Sequence, residues 1–241
     1  MLTIQYDGFL FQGFQIQKNE RTVQEELNKA LNKLTSENIR IVSAGRTDAG
    51  VHANCQVVNF LTTTKIRADK FYFHLLKFLP DDILAINSQE VSLYFHSRFS
   101  AKIKTYHYKI SMKKILHPIY RNYMENITYP LDFDRLKEAM EILKGEHDFK
   151  AFMLEEKNDT INTNRVLDDA YYFIDKDVLT LVFKAESFLH NQVRIMSGTL
   201  IEYARGKLTK EDLLSFFDPK NSKKAGPTLK AGGLYLERIE Y

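Results

Sequence analysis

The chain reads as an α+β protein of two similar lobes facing one cleft, and three observations lead there. Apolar residues recur at helical spacing in several segments, short β-branched and aromatic runs lie between them, and the order strand, helix, strands, helix occurs twice along the 241 residues. The expected division places a first lobe at 1–100 and a second at 101–241, each combining strands and helices.

Leu2 to Tyr6 is expected as a short strand. Thr22-Val23-Gln24-Glu25 has the form of a capping box opening a helix, in which Val23, Leu27, Ala30, Leu31 and Leu34 form one buried stripe. Ile39 to Ser43 and Cys55 to Phe60 then follow as strands on either side of a glycine-bracketed loop. A helix from Ala68 to Leu79 is stopped by Pro80, whose ring cannot continue it. In the second half the spacing predicts a strand at Thr105 to Ser111 and a helix from Phe133 to Leu143, with strands at Ala170 to Ile174 and Val178 to Phe183. A helix from Phe188 to Arg205 ends at Gly206 in the C-cap region, Thr209 to Asp212 opens a shorter one, and Gly233 to Tyr241 closes the chain as a strand.

Composition narrows the class. With 44% hydrophobic and 12% aromatic residues, a chain of this length can bury a sizeable core. The single cysteine, Cys55, excludes an intramolecular disulfide and a cysteine zinc cluster, which fits a reducing compartment. No stretch approaches the ~20 apolar residues that span a bilayer, and the first residues lack the basic and apolar regions of a signal peptide. A cytoplasmic protein is expected. The net charge of +3 hides an asymmetry: residues 1–120 carry 16 Lys/Arg against 10 Asp/Glu, whereas the remainder carries 18 against 21. No acid lies between Glu90 and Glu125, yet Arg98, Lys102, Lys104, Lys109, Lys113, Lys114 and Arg121 fall there among seven tyrosines and phenylalanines. Cations neutralise phosphates and aromatic faces stack on bases, so this mixture suits a nucleic-acid groove. A strand pair with one lysine face and one packed aromatic face produces the same mixture.

The most informative stretch is Ser43-Ala44-Gly45-Arg46-Thr47-Asp48-Ala49-Gly50-Val51-His52-Ala53. Asp48 is the only acid between Glu37 and Asp69, so it has no local carboxylate partner for a two-acid mechanism. Arg46, a permanent cation, favours the ionised form of a nearby carboxylate, which suits a nucleophile or a substrate anchor. Aspartate between glycines is also a common turn residue. His52 invites assignment as a metal ligand or general base, but no His-x-x-His pair or His/Asp cluster accompanies it, and a structural role is expected.

The nine residues from Gly45 to Ala53 resemble the signature of the tRNA pseudouridine synthase A family, and the resemblance extends over nearly the whole chain. Tyr6-Asp7-Gly8 and Gly13-Phe14-Gln15 resemble the family's opening strand and turn, with Phe14 where tryptophan is usual. Arg98-Phe99-Ser100-Ala101 and Tyr106-His107-Tyr108 resemble the segment that carries its active-site tyrosine. Gly145 to Phe149, Phe188 to Arg194, Ala225-Gly226-Pro227 and Gly232 to Leu236 continue the pattern.

The resemblance implies the pseudouridine synthase fold, two antiparallel-sheet lobes flanked by helices with a central basic cleft, and a homodimer that acts on tRNA at uridines of the anticodon stem-loop. It implies equally that Asp48 is the catalytic nucleophile, Arg194 the cation paired with it, and Tyr106 the ring stacked on the uracil. By the same resemblance Arg46 helps hold a flipped-out nucleotide, and Lys102 and Lys104 of the acid-poor stretch are expected as further substrate contacts. No cofactor and no metal is expected. Phe9-Leu10-Phe11 and Met153 to Arg165 match the pattern poorly, in regions that bear on which RNA is gripped. A non-catalytic RNA-binding module of the same fold, a paralogue acting on another RNA, and a hydrolase using Asp48 with a metal or distant acid stand as alternatives.

Overall fold

The computed structural model describes residues 1–154, 161–220 and 223–241. In chain order its first elements are β1 (Leu2–Tyr6), α1 (Val23–Thr35), β2 (Val42–Ser43), β3 (His52–Asn59), α2 (Ala68–Leu75) and β4 (Ile83–Ser88). They are followed by β5 (Ile103–Ser111), β6 (Glu125–Asn126), α3 (Phe133–Leu143), β7 (Gly145–Asp148), β8 (Asn164–Leu167), β9 (Asp169–Asp175) and β10 (Val178–Ala185). The last are α4 (Gln192–Ala204), α5 (Lys210–Ser215) and β11 (Leu234–Glu240).

Two compact units result, one comprising Met1–Lys102 with Tyr235–Tyr241, the other Ile103–Leu234. The final strand, expected in the second lobe, belongs with the first unit because β11 pairs with β3, Tyr235 opposite His52 and Leu236 opposite Ala53. That pairing is parallel, and so is β6 on β5. Both units therefore contain mixed sheets where purely antiparallel ones were expected, since a period of two fixes which side a residue faces and says nothing about strand direction.

In the first unit the strands lie in the order β4, β1, β3, β11, with β2 antiparallel on β3. The apolar side chains of β1 are fully buried at Leu2 and Ile4. Thr22 caps α1 by accepting from the Glu25 amide, and Val23, Leu27, Ala30 and Leu31 are buried as a stripe. The strand expected from Ile39 forms only at Val42–Ser43, because the Ile39 amide is drawn to the Asn32 side chain at the end of α1. Similarly, α2 closes at Leu75 in a turn donated by Phe78, ahead of Pro80.

The second unit orders its strands β5, β10, β9, with Phe183 of β10 opposite Tyr106 of β5, and pairs β7 with β8 as a separate hairpin. α3 packs on α4 and on β9. Eleven of the thirteen residues of α4 are buried, so it is a core helix enclosed nearly all round. It begins at Gln192, later than the expected Phe188, because Asn191 takes a left-handed conformation with φ 60°. Gly206, at φ +76°, follows its last turn.

Candidate active site

The loop between β2 and β3 is held from below at almost every residue. The Ala44 amide donates to the Val57 carbonyl at 2.9 Å, and the fully buried Gln56 donates its side-chain N–H to the Gly45 carbonyl at 3.0 Å. Thr47 is 7% exposed; its hydroxyl meets the Tyr6 hydroxyl at 2.8 Å, and its carbonyl accepts the Phe14 amide at 3.0 Å. Gly50, at φ +76°, donates to the Phe11 carbonyl at 3.2 Å, and Val51 closes the turn onto the Asp48 carbonyl at 3.2 Å. The chain from Gly8 to Phe14 lies directly against the loop, so closely that a Cβ on Gly8 would come within 1.9 Å of the Val51 oxygen. Burial pushes the Tyr6 phenol up to about 12, only partly offset by its hydrogen bonds to Thr47 and Gln56. Asp48 therefore sits half-buried between the anchored Thr47 and the exposed Ala49, on a backbone with little freedom to move, while Arg46 points from the same loop into solvent.

His52, at the first position of β3, is a bracket. It is 2% exposed, its Nδ1 accepts the Gly8 amide at 3.0 Å and lies 3.1 Å from Asp7 Oδ1, and its ring stacks on Tyr235 at 4.8 Å. Lys102, also in this unit, is exposed at the side chain and bonded through its amide to the Glu240 carbonyl.

In the second unit Tyr106 lies on β5, 8% exposed, with Phe188 edge-on to its ring at 5.2 Å. Tyr108 shares that face, fully buried, and donates to the Lys230 carbonyl at 2.8 Å; burial and the nearby Glu125 charge push its phenol well above the usual range. Lys104, two residues before Tyr106, was expected among the substrate contacts but is 7% exposed, with Nζ donating to the Glu186 carbonyl at 2.8 Å. Held in this way, the Lys104 side chain ties down the chain that leads to Phe188. Arg194 and Glu202 are the two α4 residues that are not buried. The Arg194 guanidinium donates through Nε to the Leu229 carbonyl at 2.8 Å and through Nη1 to Asn191 Oδ1.

The structure thus sets Arg46 and Asp48 on one braced loop of the first unit. It sets Tyr106, Lys104 and the helix bearing Arg194 together in the second, where α4 packs on β5. Tyr6, Gln56 and Asn191 carry no sequence signal for these roles, since their partners are far off in sequence or cannot be inferred from spacing. Among the described residues no group of three or more His, Cys, Asp or Glu is arranged to hold a metal ion, and no helix is long and apolar enough to cross a membrane. Part of the divergent segment, 155–160, lies outside the described residues.

Known proteins resemble this chain in sequence. The family model described as "tRNA pseudouridine synthase" matches residues 2–100 and 139–241. Over 241 residues the chain is 42% identical to the tRNA pseudouridine synthase A of Thermoanaerobacter pseudethanolicus, with all of this chain and 98% of the relative aligned. The tRNA pseudouridine synthase A of Finegoldia magna is 41% identical over 240 residues and that of Clostridium acetobutylicum 39% over 241, with the same coverage.

Proposed function

The chain belongs to the tRNA pseudouridine synthase family, and from that premise we propose that it isomerises uridine to pseudouridine in tRNA, with Asp48 as nucleophile. The observation that carries this reading is the Asp48 loop: a single carboxylate on an immobilised backbone, in a chain that matches its relatives from end to end. The reaction detaches uracil from C1′, turns it and rejoins it through C5, releasing the C5 proton. It consumes no oxidant. A carboxylate meets its demands by forming a transient covalent adduct, which divides one hard step into easier ones.

The rigid loop supplies aim. Each hydrogen bond that fixes Gly45, Thr47 and Gly50 removes motion that would otherwise have to be frozen at the moment of attack. Arg194 is the cation that counters the Asp48 charge, its planar fork suited to carboxylate oxygens. Tyr106, presented on β5 and backed by Phe188, stacks on the uracil. The target base leaves its stack to react, at a cost of a few kcal/mol, and exposed Arg46 and Lys102 hold the displaced nucleotide and its phosphates. Within tRNA the anticodon stem-loop is the target, and the active form is a cytoplasmic homodimer.

Mapping pseudouridines in tRNA from cells lacking the gene tests this reading. Expected is loss confined to the anticodon stem-loop, restored by the wild-type gene and not by Asp48→Ala. An unchanged map, or loss in another RNA only, contradicts it.

A further inference from the structure

We infer that Asn191 is a positioning residue for Arg194, holding its guanidinium jointly with the Leu229 carbonyl; the inference rests on the role given to Arg194 above. Asparagine at the start of a helix ordinarily turns its side chain onto the amides of the first turn. Asn191 occupies that N-cap position, 6% exposed, yet its side chain makes no capping hydrogen bond. Its Oδ1 accepts from Arg194 Nη1 instead. The backbone there is left-handed, φ 60° and ψ 4°, a conformation that asparagine, aspartate and glycine tolerate better than other residues.

The second restraint comes from a strap that the reaction chemistry alone does not explain. Leu229 accepts Arg194 Nε on its carbonyl at 2.8 Å and returns its own amide to the Arg194 carbonyl at 3.4 Å. The strap is seated on α4 through Ala225-Gly226-Pro227: the Gly226 amide donates to Thr199 Oγ1 at 2.9 Å, and a Cβ on Gly198 would fall 1.9 Å from the Pro227 oxygen. Beyond Leu229, the Lys230 amide donates to Glu125 at 3.2 Å and its carbonyl accepts the Tyr108 hydroxyl at 2.8 Å. The glycines at 198 and 226 let backbone lie on backbone, and the strap so placed delivers a fixed carbonyl to one edge of the guanidinium while Asn191 takes the adjacent nitrogen. Two bonds from neighbouring nitrogens of a rigid plane set both its tilt and its direction, so the entropy of a long side chain is lost on folding and not during the reaction.

The test is turnover of tRNA by the full chain carrying Asn191→Gly, which tolerates the left-handed backbone and removes the side chain that carries the acceptor. Expected is a fall in kcat of about tenfold or more, with KM for tRNA and Tm near wild type, because misaim of about an ångström costs rate before it costs binding. Unchanged turnover in the glycine protein overturns the inference while wild-type activity upholds the functional reading. Wild-type protein that forms no pseudouridine in tRNA overturns both. A readout independent of any variant is proton exchange at the Arg194 side chain by nitrogen-edited NMR of the wild type: Hε and one Hη are expected to exchange slowly. Exchange as fast as in an exposed arginine refutes the double restraint.

Discussion

Tyr6 illustrates how single side chains hold the Asp48 loop in place. Its hydroxyl reaches Thr47 across 41 residues of sequence, from a strand whose face is otherwise apolar, and removing it leaves the buried Thr47 hydroxyl without that partner. Tyr6→Phe is expected to cost about 1 kcal/mol at neutral pH. The same phenol gives the loss a pH signature. It stays protonated in the fold up to about 12 and ionises near 10 once unfolded, so its contribution is complete below pH 10 and fades as pH rises through 12. Across that window the wild type should lose about 1.4 kcal/mol per pH unit from Tyr6 alone, a share the phenylalanine protein lacks. Denaturant midpoints measured from pH 8 upward should therefore converge for the two proteins and then cross; parallel curves contradict the burial account.

Among the elements, α4 ties packing to chemistry most tightly, because it is buried almost all round and still presents Arg194. Two of the glycines associated with it behave oppositely. Ala at Gly198 drives its Cβ into the Pro227 carbonyl and lifts the strap that restrains Arg194, so Gly198→Ala should cost about 1–3 kcal/mol and lower turnover as well. Gly206→Ala meets open space and suffers only from its positive φ, about 1 kcal/mol, with turnover unchanged; denaturant midpoints and kcat measured on both proteins check the pair. The periodic segments are legible in the sequence: α3 has the bounds its apolar spacing predicts, and the Asp48 loop stands out as one contiguous run of residues. The β7–β8 hairpin is not, because Gly145-Glu146-His147-Asp148 carries no alternating apolar pattern. β3 begins three residues before its expected start at Cys55, because His52 is recruited by the distant Tyr235. Asn191 stays hidden for a different reason. Its residue type announces a cap, and only coordinates reveal that its oxygen serves an arginine.

At the scale of the whole molecule, the uneven charge follows the chemistry. The acid-poor stretch between Glu90 and Glu125 holds cations and rings of the kind that suit a polyanionic partner, and of the residues proposed for the reaction Asp48 belongs to the first unit and Tyr106 and Arg194 to the second. Function turns on whether the Asp48 carboxylate, and not merely the shape of its loop, drives the rearrangement. Tritium release from C5-labelled uridine in an unmodified tRNA, followed for wild type and for Asp48→Asn, decides it. Asparagine keeps the volume and loses the charge, so release should fall to background while tRNA is still bound; release at the wild-type rate contradicts the assignment of Asp48 as nucleophile.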